Sequence, residues 1–268
     1  MKRRLLNIKR GGGLYDPDFQ AWLDYNFLQG HYMTSDVTKL DACNQLILDR
    51  KARGKWATDD IFYKFAWNDL GMAQSSLVCM KRRIKAVVYG GMVYTLEGYL
   101  GNGTNGYIDA LFNPFANGVN YKAADASISA NIFNISNSNG ALFGHDSTGN
   151  TRAFMASSSN SIRMNSFSSS SSGNFLSGGS GIGLISVNRK NNTELEQTVG
   201  VDYVKNSVSG SPALVNENLL IFKTQTLPSP NGKCSFFSAG GFISRTEVQN
   251  LRTDLNAYYL SIGLTELA

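Results

Sequence analysis

The sequence predicts a mainly β protein: an antiparallel β-sandwich preceded by a helical segment and closed by one helix. Three observations lead there. From about residue 86 the chain breaks into short apolar-polar runs punctuated by Gly, Asn, Ser and Pro. Helical periodicity is confined to residues 16–54 and 244–263. Between the short runs there is no room for crossover helices, so consecutive strands join through tight hairpins, as antiparallel pairing allows.

At the N-terminus, MKRRLLNIKR has the positive start of a signal peptide. Only Leu5, Leu6 and Ile8 stand where about 7–15 apolar residues would be required. This predicts a retained basic arm (1–15), with Gly11, Gly12 and Gly13 as a joint, in a protein made in a cytoplasm. No apolar run approaches the roughly 18 residues of a membrane span.

The segment 16–82 reads as helical. Asp16 can cap, Pro17 suits the first helical position and Asp18 complements the dipole. Phe19, Trp22, Leu23, Asn26 and Phe27 then fall on one face, with Gly30 as the stop. A second helix starts at Ser35 or Asp36 and carries Val37, Leu40, Cys43 and Ile47 toward Gly54. ATDDIFYKFAWND adds a buried segment whose type the pattern leaves open.

The remaining chain, 83–268, is expected to form the sandwich. AVVYGGMVYTLEGYL, GYIDALF, ASISANIFNIS, GALFGHD, TRAFMAS, SIRMNSF, GIGLISVNR, QTVGVDYVKN and ENLLIFKT are its strand runs. The Ser-rich tract around 157–180 has linker composition, but Ile162, Met164, Phe167, Phe175 and Leu176 recur at strand spacing, so it reads as polar faces and loops. The last helix is the best specified. Ser244 stands three residues before Glu247 as a capping box, Val248, Leu251, Leu255, Tyr258 and Tyr259 line one face, and Gly263 closes it.

Charge and motifs narrow the chemistry. The net charge of +5 arises in the first third, while residues 99–268 are balanced. The positive groups are Lys2, Arg3, Arg4, Lys9 and Arg10, then Arg50, Lys51, Arg53 and Lys55, then KRRIK at 81–85. Such clusters suit nucleic acid or an acidic protein surface; for the two inner ones a solvated face is expected. Cys43, Cys79 and Cys234 are odd in number and widely spaced, which implies buried thiols and no disulfide framework. With only His31 and His145 besides, no zinc site is expected.

GNGTNG at 101–106 matches G-x-G-x-x-G, and Asp125 lies about where a ribose-binding carboxylate belongs. A dinucleotide site needs a helix after the glycines, to aim its N-terminus at the pyrophosphate. Here YIDALF follows, alternating like a strand, so the spacing is that of turns and no cofactor is expected. Glu194 and Glu196 would share a strand face roughly 7 Å apart, against about 5–5.5 Å for a retaining glycosidase pair. They read as a solvated pair. His145, with Asp146 beside it, falls at a hairpin tip without a nucleophile. No catalytic residue emerges, and the protein is expected not to be an enzyme. Sugar binding would use exposed aromatics with Asn and Asp. Tyr99, Tyr121 and Phe143 are candidates in principle, each competing with a place in the core.

GYLGNGTNGYIDALFNPFANGVNYKAADASISANIF resembles a module of phage virion proteins with the concanavalin A-like lectin/glucanase (laminin-G-like, jelly-roll) fold. Its marks are Gly101 to Thr104, Tyr107 to Asp109, Asn120-Tyr121 and Asp125-Ala126. FFSAGGFISRTEVQNLRTDLNAYYLSIG is similar to the module's last strand and terminal helix. LDRKARGKW and FYKFAW resemble the leader before it in fibre proteins of Bacteroides phages, crAss-like ones included; CMKRRIKAVVYGG is more basic than that leader. The resemblance implies a head- or tail-fibre subunit in the virion, commonly a homotrimer, assembled in the bacterial cytoplasm. Its arm and helical segment (16–82) would dock on capsid, portal or tail proteins through Lys2, Arg3, Arg4, Lys9 and Arg10. The sandwich would face outward, with a host surface glycan as a possible partner, and neither membrane nor nucleic acid is expected to bind. No sugar-binding residue carries over from the module.

Overall fold

A computed structural model describes residues 15–135, 140–145, 151–156, 161–166, 174–176, 183–207, 214, 216–223 and 229–265. The basic arm, with Lys2, Arg3, Arg4, Lys9 and Arg10, lies outside the described residues, as does Asp146.

Helix α1 (Pro17–Leu28) begins on Asp16, whose carboxylate accepts from the Asp18 amide, and α2 (Val37–Ala52) begins on Asp36 in the same way. Gly30 and Gly54, at φ of 70° and 71°, turn the chain after each helix. Phe19, Trp22, Leu23, Leu40, Cys43 and Ile47 are buried as their spacing predicts. Phe27 and Val37 are not: they stay 53% and 43% exposed. Both sit on a terminal turn, where the helical period continues but the packing partner does not.

The segment of undecided type is a strand, β1 (Asp59–Lys64). A short helix α3 (Ala73–Ser76) leads into β2 (Val87–Tyr89), β3 (Val93–Thr95), β4 (Gly98–Leu100) and β5 (Tyr107–Asp109). After α4 (Pro114–Asn117) come β6 (Ala126–Phe133), β7 (Gly140–Gly144), β8 (Thr151–Ala156), β9 (Ser161–Ser166) and β10 (Asn174–Leu176). The chain ends with β11 (Gly183–Arg189), β12 (Glu194–Val199), β13 (Asp202–Ser207), β14 (Leu220–Ile221), β15 (Lys233–Gly240) and α5 (Arg245–Ser261). QTVGVDYVKN, which reads as one run, is a hairpin: Gly200, at φ 56°, separates β12 from β13.

The strands form two antiparallel sheets. One runs β13-β12-β11-β6-β15-β4-β3, with β1 also paired to β15; the other runs β10-β9-β8-β7-β14-β5-β2. Between them lies an apolar core that includes Ile61, Tyr63, Ile108, Ile128, Ile132, Leu142, Phe143, Ile185, Val187, Ile221 and Phe237. The outer face of the first sheet is covered by α1, α2 and α5, and Phe62, Phe133, Leu184 and Phe236 join a second core there with Trp22, Trp67, Leu255 and Tyr259. The molecule thus has three layers: helices, sheet, sheet. The Ser-rich tract supplies β9 and β10 to the second sheet, while Phe167 lies outside the described residues.

The helical layer is tied down by charge as well as by apolar contact. Arg50 is 2% exposed and forks onto Asp59 with two 2.8 Å hydrogen bonds. Lys51 meets Asp16 and Asp18, Arg53 meets Asp254 of α5, and Lys55 meets Glu247. The expected solvated face is therefore an ion-pair network that joins the helices to one another and, through Arg50 and Asp59, to β1. In KRRIK, Lys81 donates to the Trp56 carbonyl and lies 4.8 Å from the Trp56 ring. Arg82 stands over Phe112, and Arg83 approaches Asp18 at 3.7 Å.

The GNGTNG turn has a physical explanation. Asn102 Oδ1 accepts from the amides of Thr104, Asn105 and Gly106 at 3.1, 3.0 and 2.8 Å. The N–H groups that would cradle a phosphate are thus turned onto a side chain of their own loop. A β-carbon on Gly101 would lie 2.3 Å from the Pro230 carbonyl oxygen, and Gly103 sits at φ 76°. A strand, β5, follows instead of a helix. It ends at Asp109 because Leu111 adopts φ 49°.

Candidate functional site

The residues singled out in the sequence scatter. Tyr99, Tyr121 and Phe143 are 4%, 0% and 0% exposed, so none offers a ring face to a ligand. Each points inward because its strand or loop position belongs to the apolar face, which alternation alone does not orient. Tyr99 donates to the Ala73 carbonyl at 2.6 Å, and burial pushes its hydroxyl pKa up to about 12.

Glu194 and Glu196 do share one face of β12, the face toward α5. Glu194 is bound by Lys205 and Lys190 at 3.0 and 3.1 Å, and their hydrogen bonds hold its carboxyl below the usual range. Glu196 is only 7% exposed, which corrects its expected solvation, and it is hydrogen-bonded to Tyr203. Neither faces an open cleft with the other.

His145 is 2% exposed, and burial pulls its pKa down to about 4 against the opposing effect of hydrogen bonds with the Glu217 and Asn218 backbone. It is neutral at physiological pH and supports the chain segment that forms the site described next. The three cysteines are buried free thiols, with burial raising the pKa of each. Among the described residues no cluster of three or more His, Cys, Asp or Glu could hold a metal ion, and no helix is long and apolar enough to cross a membrane.

What the fold does assemble is a polar depression of about 440 Å³ on the outer face of the second sheet. Its lining comes from β5 (Tyr107, Asp109), from the cap of α4 (Asn113), and from the approach to β14 and its exit (Asn216, Glu217, Asn218, Lys223). Strand alternation explains the outward set. Ile108 and Ile221 enter the core, so Tyr107 and Asp109 face outward with Leu220, which pairs with Asp109.

The side chains are held in place. Asp109 accepts from the Leu111 amide at 2.8 Å and from Asn218 Nδ2 at 3.2 Å. Asn113 Nδ2 donates to Asn216 Oδ1 at 2.8 Å. Tyr107 stacks on Tyr89 of the neighbouring strand, centroids 4.6 Å apart and planes 13° from parallel, while Lys223 Nζ lies 4.2 Å from its centroid. Tyr89, 42% exposed, offers its ring to solvent at the rim. Glu217 Oε2, sheltered from solvent, has no hydrogen-bond partner among the described residues. A flat aromatic surface beside acids, amides and an ammonium group is chemistry that can bind a hydroxyl-rich ligand.

Sequence reasoning passed over these residues, although Tyr107 and Asp109 belong to the motif that prompted the resemblance. That Tyr107 and Asp109 share one face of their strand was legible in the alternation. Their meeting with 216–223, more than a hundred residues on, was not.

No protein-family model matches the chain, and no curated protein does. Solved structures do. A mutant Trypanosoma rangeli sialidase displaying trans-sialidase activity superposes at a TM-score of 0.53 with 11% identity, over 84% of this chain and 40% of that one. The binding domain of botulinum neurotoxin DC in complex with SialylT gives 0.51 at 11% identity, over 77% and 52%. The binding domain of botulinum neurotoxin serotype D gives 0.50 at 9%, over 72% and 51%. This is a lectin-like β-sandwich. The matched part spans about half, or less, of those neighbours' length, and at these identities the fold is what is shared.

Proposed function

We propose that the chain is a structural subunit of a phage virion appendage whose sandwich recognises a glycan at the Tyr107–Lys223 depression. The observation that carries the recognition reading is the stacked Tyr89–Tyr107 pair beside a Glu217 oxygen that has no partner among the described residues. A sugar ring would lie on Tyr89, and its hydroxyls would donate to Glu217 and accept from the side-chain amides lining the depression. With Asp109 and Glu217 both in the depression, a neutral, hydroxyl-rich glycan suits it better than an acidic one. The virion reading rests on the motif order in 101–126 and 236–263. In that reading the basic arm and helical layer dock the subunit on other virion proteins, and three copies associate.

The protein is proposed to act by binding, without catalysis. Glu194 is locked between two lysines and Glu196 is covered, which supports this. Nucleic acid is not proposed as a partner, since Arg50, Lys51, Arg53 and Lys55 are spent on internal carboxylates.

The test is a glycan array probed with multivalent protein. Binding to neutral glycans that Tyr89→Ala and Glu217→Gln each weaken by tenfold or more, with melting unchanged, is the expected result. An array silent at high valency, or a signal indifferent to both substitutions, overturns the recognition reading. Attachment of a variant lacking residues 1–13 to particles deprived of the wild-type copy would refute docking by the arm.

A further inference from the structure

The two sheets end at the same side of the molecule. Strand β2 is the last of the second sheet and β3 the last of the first, and only Gly90, Gly91 and Met92 separate them in the chain. The corner is braced by the GNGTNG loop: Asn102 Nδ2 donates to the Gly90 carbonyl, and a β-carbon on Gly90 would collide with the Asn105 carbonyl. Between the two strands and α3 opens a groove of about 550 Å³, lined by Ala73, Leu77, Val88, Met92 and Tyr94 among others. Val93 on β3, Leu96 in the turn after it and Leu70 just before α3 are exposed apolar side chains, at 57%, 41% and 61%. Open strand edges beside apolar surface are features that soluble proteins ordinarily cover or charge.

One charge marks the groove. Lys85 lines it and has no carboxylate within ion-pair distance among the described residues, unlike Lys51 and Arg53. Its described polar neighbour is His31 Nε2, at 3.4 Å, while His31 Nδ1 is engaged with Asn26 Oδ1. Burial, then the Lys85 charge, lowers the His31 pKa, so the imidazole supplies no balancing charge of either sign at neutral pH. Among the described residues, a half-buried ammonium group at the mouth of an apolar groove lacks an anion.

We propose that this corner is a docking surface for an extended segment of a partner protein. The segment adds as a strand to an open edge, places apolar side chains in the groove, and presents a carboxylate to Lys85. Strand addition uses main-chain hydrogen bonds for affinity and alternate side chains for specificity, and both halves are available here. The surface is distinct from the Tyr107–Lys223 depression, so the two can fail separately.

The experiment uses full-length protein and fluorescein-labelled six-residue peptides of alternating valine and threonine. One carries a central glutamate, a second a central lysine, and a third is the glutamate peptide N-methylated at alternate amides. Saturable binding of the glutamate peptide, about tenfold tighter than the lysine peptide, is expected. Lys85→Glu should invert that order, Val93→Asp should weaken the glutamate peptide with melting unchanged, and N-methylation should abolish binding. Equal affinity for the two charges, a preference untouched by Lys85→Glu, or no saturation at millimolar peptide overturns the proposal. Undiminished binding of the N-methylated peptide overturns strand addition. Self-association abolished by Val93→Asp in sedimentation would assign the surface to a second copy instead, and refute it as stated.

Discussion

Lys64, on β1, is the most consequential charge between the first sheet and the helical layer. It is 1% exposed, lies 2.8 Å from the Trp67 ring centroid and 4.2 Å from that of Tyr258, and donates to the Tyr258 hydroxyl at 2.7 Å. Cys43 faces it from α2 as a thiol, and no carboxylate pairs with it among the described residues. Burial lowers its pKa from 10.5 to about 7. Because the folded value is depressed, the unfolded chain binds more protons between pH 7 and 10.5, and stability rises with pH in that window. At 1.36 kcal/mol per pH unit the full effect is about 5 kcal/mol. Cys43 and Cys79, whose pKa values are raised from 9.0, act in the opposite direction as pH climbs past their unfolded values. The clean window is therefore about pH 7 to 8.5, where Lys64 alone should contribute a gain of about 2 kcal/mol.

The perturbation is Lys64→Met, which keeps the length of the chain and removes the charge. Urea titrations followed by tryptophan fluorescence, reporting on the stacked Trp22 and Trp67, give the stabilities. Wild type should gain about 2 kcal/mol more than Lys64→Met across the window, so that the two curves converge with rising pH. Parallel curves would refute the reasoning, because they would mean that Lys64 keeps its charge in the folded protein throughout.

Further outcomes follow from single contacts. Arg50→Met leaves the buried Asp59 carboxylate unpaired and should cost about 3–5 kcal/mol in urea unfolding. Gly98→Ala places a β-carbon 2.2 Å from the Cys234 carbonyl oxygen at φ 124°. It should cost roughly 3 kcal/mol and lower the melting temperature by loosening β4 from β15. Ser244→Ala removes half of the α5 capping box and should cost about 1 kcal/mol, with hydrogen exchange quickening first at residues 245–248.

Local signals were legible wherever the cause was local. Asp16, Asp36 and Ser244 start their helices because each needs only its own side chain and an amide two or three residues on. The alternation Ile128, Ala130, Ile132 marked β6, and the absence of a helix after Gly106 excluded a phosphate cradle before any tertiary contact was known. β1 was not legible as a strand. Its six residues are all buried, by β15 on one side and the helices on another, and a fully buried run shows no period.

The amino-acid order by itself determined which stretches extend, which coil and where each must turn, since these follow from side-chain periodicity, capping groups and glycine. It also determined that the glycines of GNGTNG serve a turn. Only the tertiary structure decided which way each strand faces, which buries Tyr99, Tyr121 and Phe143 and exposes Tyr89. It alone set Glu217 beside Tyr107, turned Arg50, Lys51, Arg53 and Lys55 into ion-pair partners, and left Lys85 without an anion among the described residues. The reason is that burial and electrostatic pairing depend on residues far apart in the chain, and a one-dimensional pattern carries no record of who will lie opposite whom.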